Sequence, residues 1–174
     1  MTAVGERNAL GMSPGDRYDI LTSHRTIGMI GLSSNYYNAS SFAAIYLAAN
    51  GYDIVPINPI QAGKREILGR PVYASLLEAA EHHPHQIEIV DVFRPAHEVP
   101  EIAEQTIEIG ADVLWCQLGV INEEAAETAR RAGKLVVMDR CCKIEHARFF
   151  GGLRTIGLNT GVVTSRLSMP LPRG

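Results

Sequence analysis

From Thr26 onward, short runs of β-branched and other apolar residues alternate with segments in which apolar residues recur at the helical period. That alternation is the pattern of βαβ units feeding a parallel sheet. Five runs stand out, at residues 27–32, 53–57, 87–93, 112–117 and 135–139. Each is apolar along most of its length rather than at every second position, as strands covered on both faces should be. The chain therefore reads as an α/β protein, with a five-stranded parallel sheet and helices on both faces.

The segments between the runs carry helix punctuation. Residues 41–50 (SFAAIYLAAN) are rich in Ala and Leu, and Gly51 follows where a helix stop favours a residue without a Cβ. Residues 75–81 predict a shorter helix, and residues 98–109 a longer one, with Ile102, Ile107 and Ile109 apolar and Gly110 as its stop. Residues 122–132 open on Asn122, place Glu123 and Glu124 at the positive helix start, and close on Arg130, Arg131 and Gly133. Residues 1–25 and 151–174 lack such periodicity, and Pro170 and Pro172 interrupt the end. They read as an N-terminal arm and a C-terminal tail around a domain at 26–150.

Composition narrows the class. A chain of 174 residues, 46% hydrophobic and 20% charged, is the size of one ordinary domain. Its net charge of −3 argues against nucleic acid or an anionic membrane as partner, since both are bound by clustered Lys and Arg. Three cysteines, Cys116, Cys141 and Cys142, form no CxxC and suit a reducing compartment. With no long apolar span and no apolar leader segment, the expected location is the cytoplasm.

In an open parallel sheet, ligands bind beyond the carboxyl ends of the strands. The first exit (GMIGLSSNYYNASSF) brings Gly31, Ser33 and Ser34 to a helix start, where free N–H groups and a partial positive charge suit a phosphate. Asn38 or Ser40 could equally serve that helix as a cap. The second exit ends on Asn58-Pro59, where an NAD site would carry a carboxylate. A neutral Asn58, with Lys64, Arg65 and Arg70 following, suits a phosphorylated ribose, as in NADP or coenzyme A; turn chemistry and a solvated basic face explain the same residues. The third exit supplies Phe93, Arg94 and Pro95, with Arg94 open to a carboxylate of the fold or to a ligand phosphate. The fourth supplies Trp115, Gln117 and Gly119.

The fifth exit (DRCCKIEH, from Asp139 to His146) is the densest polar cluster. Cys141 beside Arg140 and Lys143 at a helix start would be a lowered-pKa thiol. Alternatively, Asp139 pairs with Arg140, Glu145 and His146 join that network, and the cysteines fill space. Adjacent cysteines are poor co-ligands, so no metal is expected. The loop EHHPHQ, with His82, His83 and His85, reads as a solvated turn rather than a metal site. No GxSxG, HExxH or P-loop is present.

Four stretches carry a resemblance: GYDIVPINP, VDVFRPAHEVPEI, DVLWCQLGVINEEAAETARRAG and VVMDRCCKIEHARF. They resemble the stand-alone CoA-binding domain proteins of bacteria, which are similar in turn to the N-terminal domain of the succinyl-CoA ligase α subunit. The resemblance implies a single Rossmann-like domain that holds coenzyme A at its strand exits. It implies Gly31, Ser33 and Ser34 at the nucleotide phosphates and Asn58 and Pro59 toward the adenosine; Asn38 and Ser40 of the same loop are further cofactor-binding candidates. Phe93 and Arg94 would line the third exit and Gln117 and Gly119 the fourth, while Cys141 falls in the family's DRC motif. The first loop departs from the family pattern, with Asn38-Ala39-Ser40 where an Arg-Pro-Ser is usual. The ligase's phosphoryl transfer uses a histidine of a second domain and is not carried over.

The expected function is a small-molecule binding module for CoA or an acyl-CoA, not an enzyme. An NADP-dependent oxidoreductase and a thiol-linked redox protein using Cys141 are the rivals. Domains of this kind also associate through exposed helices or sheet edges, so a homodimer is compatible with the reading.

Overall fold

The structure, a computed structural model, describes residues 12–151. Five parallel strands form one sheet: β1 (Thr26–Ile30), β2 (Asp53–Ile57), β5 (Ile89–Val92), β6 (Val113–Cys116) and β7 (Leu135–Val137). Their order is β2-β1-β5-β6-β7, so the chain reverses its direction of travel across the sheet between β1 and β5. A two-stranded antiparallel hairpin, β3 (Glu66–Ile67) and β4 (Arg70–Pro71), leaves the loop after β2. The fold is α/β and Rossmann-like, as the apolar runs predict.

Both faces of the sheet are covered. On one face Ile27, Met29, Ile89, Val113 and Trp115 pack under α1 (Pro14–Ser23), α2 (Ala39–Ala49) and α6 (Cys142–Phe150). On the other, Val55, Val90, Val92, Leu114 and Cys116 pack under α3 (Leu76–His82), α4 (Val99–Glu108) and α5 (Glu123–Arg131). Burying apolar surface at about 25 cal/mol per Å² on both faces is what makes continuous apolar strands the stable choice here. Asn122 caps α5 through its side chain, accepting from the Ala125 N–H at 2.9 Å, and Glu123 and Glu124 fill the first turn.

Within the arm read at 1–25, the described residues hold a helix packed on the domain. Ser13 and Asp16 form a reciprocal capping box, Pro14 occupies the first turn, and Ile20 and Leu21 are buried against the sheet. Arg17 is fixed deeper still: its Nε donates to Glu145 of α6 at 2.8 Å, and Arg148 joins the same carboxylate at 2.8 Å. The residues after Gly151, read as a tail, lie outside the described residues. Among the described residues no helix is long and apolar enough to cross a membrane.

Candidate functional site at the strand exits

The sheet's order reverses between β1 and β5, and the strand-end rule places a ligand beyond the strand exits near that point. Gly31 closes β1 with φ +86°, and its N–H still donates to Ile57 at 2.9 Å. A Cβ at Gly31 would stand 2.8 Å from the Phe93 carbonyl oxygen and 2.9 Å from Cδ of Arg94. The two exits therefore touch through backbone, and only glycine permits it.

Beyond Gly31, the serines hold the loop in shape. The Ser33 N–H donates to Oγ of Ser40 at 3.2 Å, and the Ser34 N–H to Oε1 of Gln61 at 3.1 Å. The Ser41 hydroxyl donates to the Ser33 carbonyl and, at 2.8 Å, to that of Asn35. Ser40 thus braces the loop instead of capping the helix. Asn38 occupies the N-cap position of α2 but makes no side-chain cap bond, and both Asn38 and Ala39 are exposed. The start of this 11-residue helix is left open to an anion. Ser33, Ser34, Tyr36, Ser41, Ile45 and Leu68 line a small pocket beside it.

At the second exit, the Asn58 side chain is engaged within the fold. Its Nδ2 donates to the Leu32 carbonyl at 2.9 Å, and its Oδ1 accepts from the Ile60 N–H at 3.0 Å, so the amide ties the β1 and β2 exits together. Pro59 is exposed beside it. The cations beyond do not converge on the exits. Lys64 turns its ammonium to the Ile60 carbonyl at 3.0 Å, and Arg70 pairs with Asp53 at the opposite end of the sheet. Arg94 at the third exit pairs with a carboxylate of the fold, as one of its two readings had it. Its Nε and Nη2 donate to the two oxygens of Glu98 at 2.8 and 2.7 Å, which holds that carboxyl below its usual range. Phe93 is half-buried alongside.

The fourth and fifth exits are linked. The Gly119 N–H donates to Oδ1 of Asp139 at 2.8 Å, and Asp139 itself takes φ +53°. Asp139 therefore does not form a side-chain pair with Arg140, whose guanidinium donates to the Asp139 backbone carbonyl. Nor do Glu145 and His146 join them: Glu145 is held by Arg17 and Arg148, and His146 meets the Tyr46 hydroxyl at 3.1 Å. Cys141 does stand at a helix start, as the N-cap residue of α6. Its thiol is shifted up, not down, because burial outweighs the helix N–H groups and Lys143.

Gln117 is buried and donates to Oδ1 of Asp91 at 2.6 Å. Asp91 went unnoticed in the sequence reading, although a carboxylate inside IEIVDVF, a run apolar on both faces, was a visible anomaly. Burial pushes its carboxyl up to about 7 despite the Gln117 hydrogen bond. Gln61 and Glu98 were missed as well, because each acts by holding a neighbour that only the folded loops bring close.

His83 is not a solvated turn residue. Its ring is nearly buried and meets Oδ2 of Asp53 at 2.9 Å, opposite Arg70. These three line a wide groove of about 900 Å³ at the amino ends of the strands, with Arg25, His85 and Glu88. Glu88 is committed to the backbone N–H groups of Arg25 and Thr26 at 2.6 and 2.9 Å. The groove lies at the amino ends of the strands, away from the exits where the strand-end rule places a ligand. Among the described residues no His, Cys, Asp and Glu cluster could hold a metal.

The strand-order reversal, a glycine-tight first turn and a helix start without a side-chain cap make the strand exits the candidate site of this Rossmann-like domain. The chain belongs to the CoA binding domain family, whose model matches residues 25–147. It is 36% identical over 129 residues to the uncharacterized protein YneT of Bacillus subtilis, a match covering 74% of this chain and 90% of YneT. A hypothetical protein from Pyrococcus horikoshii superposes with a TM-score of 0.74 at 36% identity, covering 81% of this chain and 94% of that one. A Thermus thermophilus structure gives 0.73 at 29% identity, covering 80% and 100%.

Proposed function

We propose that this is a cytoplasmic binding module that holds CoA or an acyl-CoA at the carboxyl ends of the parallel strands, beside the start of α2, with no turnover of its own. The observation that carries the reading is the uncapped start of α2 at the reversal point, in a chain of the CoA binding domain family. The residues present suit a phosphorylated ligand through backbone rather than through arginine. The helix supplies N–H groups, whereas Arg94 is committed to Glu98 and Arg70 to Asp53. Gly31 lets the β1 and β5 exits pack closely against each other, and the side chains of Ser33, Ser40 and Asn58 hold the neighbouring loops.

The absence of a carboxylate at the end of β2 separates this site from one built to hold the free ribose hydroxyls of NAD. Isothermal titration with CoA, dephospho-CoA, NADP and NAD tests the assignment. CoA binding well above dephospho-CoA supports a site that reads the 3′-phosphate. Binding of NADP in preference to CoA overturns the proposal in favour of a nicotinamide enzyme.

A further inference from the structure

Among the described helices, α2 alone carries no charged side chain: it reads ASSFAAIYLAA. Ser40, Ser41, Ala43, Ala44 and Leu47 are buried toward the sheet. The opposite face presents Ala39, Phe42, Ile45, Tyr46 and Ala49, the helical spacing of one surface stripe, with Phe42 53% and Ile45 38% exposed. A helix that is apolar all round is ordinarily covered all round.

The apolar surface continues on both flanks. Toward the β3–β4 hairpin, Ile45 shares a small pocket with Tyr36 and Leu68, both exposed. Toward α6, the Lys143 ammonium stands 5.7 Å from the centre of the Phe42 ring, and Ile144 of the same helix turn is exposed. The stripe reaches well past the candidate ligand site, because α2 leads from the exit of β1 back toward the start of β2, a length of about 16 Å.

Two observations say what covers it. The first is the order of side-chain sizes, which is the same from either end: Ala39, Phe42, Tyr46, Ala49, with gaps of three, four and three. A half-turn about an axis level with Ala44 sets Phe42 against the partner's Tyr46 and Ala39 against the partner's Ala49. Small residues at the ends let the two helices approach, and the aromatic pairs fill the middle. The second is charge. On the other layer, α4 and α5 expose Glu101, Glu104, Glu108, Glu123, Glu124 and Glu127, so two copies meeting there would set like charges together. Two α2 faces set none together, and antiparallel helices place the positive start of each beside the negative end of the other.

We infer that a second copy of this chain docks on α2, helix antiparallel to helix across a two-fold axis, to form a homodimer. A strip about 16 Å long and about 10 Å wide falls short of the roughly 800 Å² that each partner buries in a stable interface. The flanks at Leu68 and Ile144 therefore take part, and the dimer dissociates on dilution.

Sedimentation velocity of the full chain from about 1 to about 500 µM tests the assignment. The wild type is expected to pass from monomer to dimer over that range. Phe42→Glu, which keeps a good helix former at the position, should weaken association by about thirtyfold or more. Ile45→Lys gives the same test should Phe42→Glu fail to fold. Ala39→Glu combined with Ala49→Lys puts opposite charges at both ends of the two-fold pair and suits the dipole of each helix. That variant should associate more tightly than wild type by about threefold at low salt, with the gain lost at 0.5 M salt; a parallel packing would set its like charges together and weaken it. A wild-type monomer at every concentration overturns the inference, whether residues 152–174 or a different protein covers the face. So does a dimer that Phe42→Glu and Ile45→Lys leave intact, or one that the Ala39→Glu, Ala49→Lys pair weakens.

Discussion

Asp91→Asn makes a stability prediction in which direction and size come from the same buried carboxyl. Burial raises its pKa from an ordinary 3.8 to about 7, so over that interval the folded state holds a proton that the unfolded state has lost. Its contribution to stability is therefore fully present below about pH 4 and disappears as pH rises through 7. Each pH unit in that window costs about 1.4 kcal/mol, or roughly 4 kcal/mol in all for the wild type. Asparagine does not ionise and keeps the oxygen that accepts from Gln117, but its NH2 replaces the unpartnered oxygen, at about 1–3 kcal/mol. The variant should be less stable than wild type at pH 4 and more stable by roughly 1–3 kcal/mol at pH 8. Urea unfolding of both proteins across pH 4 to 8 measures the difference, in which groups common to both cancel. Parallel curves, with no crossover, would show that Asp91 is ionised at low pH or solvated, and would refute the reasoning.

Three other expectations concern the site and its support. Gly31→Ala places a Cβ against the Phe93 carbonyl in a left-handed backbone, so it should destabilise the fold by about 1–3 kcal/mol and weaken CoA binding in calorimetry. Glu145→Ala strands the buried Arg17 and the partly buried Arg148, and should cost about 3–5 kcal/mol in urea unfolding; a loss below about 1 kcal/mol would mean that water reaches the pair. The double change Asn38→Arg with Ala39→Pro adds a cation at the open helix start and a proline at the first helical position, where it is tolerated. CoA affinity should rise by about tenfold at low salt and the gain should shrink at 0.5 M salt; no gain would place the phosphates elsewhere.

What the sequence reveals and what it hides divide along the range of the interactions. The strands are legible because burial on both faces writes itself into contiguous apolar residues, and α5 because Asn122, two glutamates and two arginines mark its ends locally. Helix α1 is harder: only Ile20 and Leu21 supply its apolar face, and Arg17 is buried solely because Glu145 waits 128 residues further on. No periodicity records such a pairing, although the local capping box of Ser13 and Asp16 with Pro14 was there to be read. Asn58 shows both scales at once, its turn bond to Ile60 being local and its bond to Leu32 crossing 26 residues.

The same division explains why the exits misled. Polar residues at strand ends look like ligand contacts because that is where ligands sit. Here Asn58, Arg94, Ser40 and Gln117 are each committed to another part of the protein, and Cys141 owes its raised pKa mainly to burial that its cationic sequence neighbours conceal. These commitments are what give the exits a fixed shape before a ligand arrives, since a loop whose side chains were free would have to be ordered on binding at a cost in affinity. In the proposed function, recognition then falls to the backbone at the start of α2. Restoring an arginine at position 38 and removing the acid at position 91 thus act on separable properties. The first should change how tightly CoA binds and leave the pH dependence of unfolding intact; the second should do the reverse. Coupling between the two in a double-mutant cycle would mean that the buried carboxyl also shapes the binding site, contrary to this assignment.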